Sequence, residues 1–185
     1  MRLHLLRHTK PQIADGLCYG QADVPVLVAD YQILAAKIRQ QLVAAIPVFS
    51  SPLQRCALLA QALHAQPQLD PRLMEMHFGA WELCAWDTIP RAEIDAWAAA
   101  PATYRPGAGE SALDVAQRVI AWLADLRQMQ LSEALVVAHA GIMRMLLVWQ
   151  DGMAADELAQ LVCAQNLSLS FGEYTEILVF RKYYR

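Results

Sequence analysis

Arg2-Leu3-His4-Leu5-Leu6-Arg7-His8-Thr9 opens the chain, and its apolar run delivers an Arg-His pair to the far end. Leu3, Leu5 and Leu6 put apolar side chains on both faces of an extended segment, as in a parallel strand covered on both sides. A second run of this kind, Ala134-Leu135-Val136-Val137-Ala138, ends at His139-Ala140-Gly141. A shorter one, Ile46-Pro47-Val48-Phe49-Ser50, leads into Ser51-Pro52. Helical spacing of apolar residues fills the intervals, over residues 27–45, 52–65, 87–99, 111–130, 141–150 and 156–163. Ser51 is expected to cap the second of these helices, with Pro52 at its first position. Residues 167–171 and 176–180 read as two final strands joined through Gly172. Alternating strands and helices predict an α/β fold with a mostly parallel central sheet. Ligands of such sheets bind outside the carboxyl ends of the strands, which brings Arg7-His8, Ser50-Ser51 and His139 to one edge.

With 185 residues, 56% of them hydrophobic, the chain can bury one substantial core, and a single domain over residues 1–185 is expected. A net charge of −3 gives no global basic field, so neither nucleic acid nor an anionic membrane is expected as a partner. The longest apolar stretch, 135–149, contains His139 and Arg144 and is too short to span a bilayer. Lysine occurs only at Lys10, Lys37 and Lys182. Arginine carries the remaining positive charge, and its planar fork suits phosphate. Cys18, Cys56, Cys84 and Cys163 form no CxxC pair and match no zinc ligand set. The apolar start is too short for a signal peptide, so free thiols in a reducing cytoplasm are expected.

Two strand-end imidazoles beside an arginine suit a site that binds a phosphoryl group and attacks it. His8 is the candidate nucleophile, because a neutral imidazole attacks phosphorus without a separate base. Its other nitrogen needs an acceptor to fix the tautomer, and the sequence does not name one. A lone strand-end His is more often structural, and only Arg7 and His139 together reverse that reading. Arg55 lies on the first turn of a helix whose N-terminus faces the same edge, where an anionic ligand would explain a cation. Glu75, flanked by Met74, Met76, Phe78 and Trp81, is the candidate general acid through a pKa raised by its apolar surroundings. Glu82 competes with it. Glu110-Ser111, after Pro106-Gly107-Ala108-Gly109, either caps a helix or presents donors to a substrate. Tyr19, Gln21, Trp81, Trp86 and Tyr104 are further loop candidates for contacting a leaving group, and an aromatic wall would suit a flat base.

Leu6-Arg7-His8, Ser51-Pro52-Leu53-Gln54-Arg55, the run from Leu73 to Glu82, Gly109-Glu110-Ser111 and Val137-Ala138-His139-Ala140-Gly141 resemble, in order, the motifs of the histidine phosphatase superfamily, in its phosphoglycerate-mutase-like branch. The resemblance implies a three-layer α/β/α sandwich and hydrolysis of a small phosphate monoester. It implies that His8 is transiently phosphorylated, that Arg7, Arg55 and a protonated His139 bind the phosphoryl group, and that Glu75 moves the protons. Neither a metal nor another cofactor is implied, and the enzyme would be a monomer or a homodimer. The runs Cys18-Tyr19-Gly20-Gln21-Ala22-Asp23-Val24-Pro25 and Phe78-Gly79-Ala80-Trp81-Glu82 are most similar to the alpha-ribazole phosphatase group, whose members remove a 5′-phosphate during cobalamin synthesis.

The chain departs from the family pattern at Thr9, where Gly is usual, at Gln12-Ile13-Ala14-Asp15, where an Asn is common, and at Ala108, where a second Gly is common. Two alternatives compete. Mutases of this branch carry extra segments, so the length here favours a hydrolase. A phospho-ligand binding module would have lost catalytic residues, and all five are present.

Overall fold

The computed structural model describes residues 1–42 and 46–180. Five strands form one sheet in the order β3-β2-β4-β1-β5. These are β1 (Arg2–Arg7), β2 (Val48–Ser50), β3 (Gln68–Leu69), β4 (Glu133–Ala138) and β5 (Tyr174–Leu178). β1 runs parallel to β4, and β2 runs parallel to both β4 and β3. β5 is antiparallel to β1 at the edge.

Both faces of the central strands are covered, as their unbroken apolar runs require. Leu3, Leu5, Ala134 and Val136 face one core with α4 (Ala112–Gln128), α5 (Ala140–Val148) and α6 (Ala155–Ala164). Leu6, Leu135 and Val137 face the other with α1 (Val28–Gln41) and α2 (Gln54–Leu63). The result is the expected α/β/α layering. A third cluster, around Cys18, Trp81 and Ile89, lies under the long loops. None of the four cysteines is in a disulfide. Among the described residues no helix is long and apolar enough to cross a membrane.

Several boundaries differ from the sequence reading. The tail of the helix expected over 27–45 falls on residues 43–45, outside the described residues. The helix expected from Pro52 begins at Gln54, and its cap residue is Leu53, with no side-chain cap. Ser51 is therefore not the N-cap. The helix expected over 87–99 splits at Pro90: Ile89 is extended, as a residue before proline prefers, and α3 spans Arg91–Ala99. Residues 167–171 form no strand. The carbonyl of Leu169 accepts from the Arg7 guanidinium, and the Gly172 N–H donates to the His8 carbonyl at 3.1 Å, so this segment crosses the sheet end. Short β3 was missed, since two residues carry no periodicity. Ser111 does cap α4, in a box with Asp114, an arrangement worth about 1 kcal/mol.

Gly107 and Ala108 both have positive φ, +56° and +60°. That region costs alanine about 1–2 kcal/mol and is free for glycine. Ala108→Gly is expected to raise stability by about 1 kcal/mol, read as a shift in the urea midpoint, once the added freedom of the unfolded chain is subtracted. A lowered midpoint would refute the strain.

Candidate active site

Parallel register sets the site. Arg7 pairs with Ala138 and Ser50 with Val137, so the residues just beyond them, His8, Ser51 and His139, emerge side by side. All three are buried. The His8 and His139 rings meet edge to face with centroids 5.1 Å apart. His8 Nδ1 lies 2.7 Å from the Thr9 carbonyl oxygen, which can only accept. The proton therefore sits on Nδ1, and Nε2 keeps its lone pair. Thr9 does this from a backbone outside the positive-φ region, so the turn does not need the glycine usual there.

Arg55 is fully buried. It donates to the carbonyls of Ala22, at 2.8 Å, and Gly20, and through Nε to His139 Nδ1 at 3.3 Å. An arginine only donates, so His139 Nδ1 is the acceptor. His139 Nε2 then donates to Ser51 Oγ at 2.9 Å. Both ring nitrogens of His139 are thus committed and the ring is neutral in this arrangement, whereas the protonated His139 that the family resemblance implies is one facing a bound phosphoryl group. Burial first, then His8, Arg55, Arg118 and Arg7, hold its pKa well below the usual value. His8 is lowered to about 3 by burial and by Arg55 and Arg7, against the Thr9 bond.

These two rings tie stability to pH. Between the ordinary value of 6.5 and about 3, the unfolded chain takes up a proton that the folded His8 ring refuses, and His139 is lowered in the same direction. Stability is therefore expected to fall as pH drops through that window, by about 1.4 kcal/mol per pH unit from His8, with His139 acting in the same sense. Urea unfolding of the wild type and His8→Gln between pH 6.5 and 4.5 checks this. The variant should show a shallower slope than the wild type, and an equal slope in both would count against it.

Arg7 stacks on Phe171, with its guanidinium carbon 3.9 Å from the ring centroid. Its Nε is buried with no hydrogen-bond partner, a donor aimed at nothing in the protein. Glu75 accepts from the Gly141 N–H and the Met76 N–H, both at 3.0 Å. A Cβ on Gly141 would fall 2.2 Å from Glu75 Oε1, so glycine is what lets the carboxylate reach the start of α5. Glu82 accepts from the N–H groups of Gly20, Gln21, Ala22 and Phe78, each at 2.9 Å. Burial alone would raise its pKa, but those four bonds hold it below the usual range. Glu82 is a fixed anion that ties two loops together, and it no longer competes as the acid.

The weaker candidates divide. Tyr19 lines a cavity of about 460 Å³ beside Glu75 and Gly141, whose wall includes Phe78, Trp86 and Trp97. Gln21, Glu110 and Ser111 do not line it. Gln21 donates to the Glu75 carbonyl at 3.0 Å. Glu110 is paired with Arg118 at 2.9 Å and accepts from the His77 N–H. The Ser111 hydroxyl is engaged by Asp114. Gln21 thus braces the Glu75 backbone, Glu110 holds Arg118 and the His77 N–H, and Ser111 caps α4. Arg118 completes that support, donating to the Glu75 and Arg72 carbonyls. It was missed because it is one polar residue on an amphipathic helix. Phe171 was missed inside a stretch read as strand. Ser51, which the sequence offers as a helix cap, is instead the partner of His139.

A family model described as the histidine phosphatase superfamily (branch 1) matches residues 3–177. The chain belongs to that superfamily. This histidine phosphatase superfamily member is 28% identical over 173 residues to the adenosylcobalamin/alpha-ribazole phosphatase of Escherichia coli, covering 85% of this chain and 83% of that one. It superposes on the alpha-ribazole phosphatase from Shigella flexneri with a TM-score of 0.78 and 27% identity, over 95% of this chain and 89% of the other. It also matches the phosphoglycerate mutase from Thermus thermophilus, at 26% identity and a TM-score of 0.68, over 96% of this chain and 92% of that one. A protein described as a mutase is therefore matched over nearly its whole length. Length does not separate hydrolase from mutase, contrary to the expectation drawn from the sequence.

Proposed function

We propose that the chain is a phosphomonoesterase that works through a phosphohistidine at His8. The observation that carries this is the neutral His8 ring, anchored through Nδ1 to the Thr9 carbonyl, with Nε2 left to attack. In this reading the monoester's terminal phosphoryl group enters between Arg7, Arg55 and His139. Arg7 offers its unpartnered Nε. His139 exchanges its Ser51 bond for a phosphoryl oxygen. These fixed donors in a dry site stabilise charge on the transferring group.

Nε2 forms a bond to phosphorus as the ester P–O bond breaks, and protonated Glu75 gives its proton to the departing alcohol oxygen. Glu75, now a carboxylate, takes a proton from water as that water attacks phosphorus. The P–N bond breaks, releasing inorganic phosphate and restoring His8. Splitting the reaction in this way replaces one very high barrier by two lower ones.

For the leaving group we propose alpha-ribazole, on the likeness to the two alpha-ribazole phosphatases and the aromatic cavity beside Glu75. The test is phosphate release in EDTA from alpha-ribazole 5′-phosphate beside a panel of sugar and nucleoside phosphates. A preference of at least about tenfold in kcat/KM for alpha-ribazole phosphate is expected. Equal rates over the panel would keep the phosphatase and remove the substrate. Turnover only with a bisphosphorylated primer would replace both by a mutase.

A further inference from the structure

The cavity beside Glu75 holds a cation that the phosphoryl chemistry above does not use. α5 begins at the site: its cap residue is His139, and its Gly141 N–H holds Glu75. Ala140, Gly141, Arg144 and Met145 all line the cavity, as residues three and four apart on one helix face must. Arg144 thus stands one helical turn, about 5–6 Å, beyond the point where the leaving oxygen would receive its proton.

Arg144 is half-buried, and its Nε is fully enclosed with no hydrogen-bond partner. The surroundings do not satisfy it. Glu75, the carboxylate that shares the cavity, is taken by the Gly141 and Met76 N–H groups. The remaining wall is largely apolar, including Phe78, Trp86, Trp97 and Val162, with Tyr19, Cys163 and Gln165 as its other polar groups. Arg118, the other arginine near Glu75, is already engaged by Glu110 and two carbonyls. A donor enclosed in an apolar wall without an acceptor is costly, and a ligand that brings the acceptor removes that cost.

We infer that Arg144 is a specificity-determining residue that takes a hydrogen-bond acceptor on the leaving group, one helical turn beyond the leaving oxygen. The inference rests on the phosphomonoesterase reading of the same site. Two sources supply the acceptor: a carboxylate, or the free ring nitrogen of a heteroaromatic base such as the benzimidazole of alpha-ribazole. The rest of the leaving group is flat or apolar, to match the tryptophan side of the cavity.

Binding tests this without turnover. His8→Ala and His8→Ala/Arg144→Gln are titrated by calorimetry with 4-carboxyphenyl phosphate, alpha-ribazole 5′-phosphate and phenyl phosphate, the last having no acceptor. The affinity of an acceptor-bearing ligand relative to phenyl phosphate is expected to fall about tenfold or more when Arg144 is lost, since charge-assisted bonds are the strong ones. A fall for the carboxylate alone identifies an acidic leaving group, and a fall for alpha-ribazole alone identifies a base. Arg144→Lys should recover part of the ratio. Unchanged ratios, with all three ligands still bound, overturn the role of Arg144 and leave the phosphatase intact. Failure of all three to bind overturns the role of Arg144, and His8-dependent phosphate release by the wild type decides the phosphatase separately.

Discussion

Phosphate release is expected to fall by about 10⁴-fold or more when His8 is replaced by alanine. Residues that act as one unit in covalent catalysis lose nearly everything when the nucleophile goes. No neighbour can substitute for it. Cys56 is buried, and burial pushes its thiol well above the ordinary range, so it carries no thiolate. His139 has both nitrogens engaged. The Ser51 hydroxyl has no base beside it other than that same ring. The variant should still fold, because alanine removes a buried polar ring whose only hydrogen bond is to the adjacent carbonyl. Steady-state release and circular dichroism measured together decide the matter. In the wild type, an alkaline quench during turnover should trap acid-labile phosphate on the peptide containing His8. A folded His8→Ala enzyme with more than about one-hundredth of the wild-type rate would sink the phosphohistidine.

Glu75→Gln is the second large effect, expected to lower kcat by about 10²–10⁴-fold, the usual span for a positioned general acid and base. The amide keeps the shape and loses the proton traffic. Gly141→Ala supplies an independent arm. Its Cβ would sit 2.2 Å from Glu75 Oε1 and must displace the carboxylate from the Gly141 N–H. Activity is expected to drop at least tenfold while thermal stability holds, because alanine is a better helix former than glycine. A structural role for Glu75 would instead couple the two, with activity and melting temperature falling together. A substrate with a very acidic leaving alcohol should be much less sensitive to Glu75→Gln, since it needs no proton to depart.

The part of the site built by strand ends was legible because strand ends are written in short apolar runs. Arg7, His8 and His139 follow directly from where Leu6 and Ala138 stop. The hydrogen bonding that keeps the two imidazoles neutral was not legible. It depends on which acceptor each ring nitrogen meets, and those acceptors are the Thr9 carbonyl and Ser51, chosen by the packing of β1, β2 and β4. The loops were read least well. Glu82 and Glu75 look alike in the sequence, each an acid beside aromatic residues. Only the folded loops reveal that one collects four backbone N–H groups and the other reaches the start of α5. Residues 167–171 alternate like a strand, yet their polar groups are used to close the sheet end over Arg7 and His8, and no ladder is left for them.

That closure has a consequence for how the protein is made. His8 is synthesised long before the groups that clamp it, which lie far down the chain. Gly172 donates to its carbonyl, Glu173 accepts from the Arg7 N–H at 2.9 Å, and β5 pairs along β1. At about 5–20 residues per second, translation separates the two by on the order of ten seconds or more. Through that interval β1 can hold neither its edge partner nor the Phe171 ring against Arg7. A nascent chain that has reached His8 but not residues 169–178 therefore carries this imidazole without the frame that orients it.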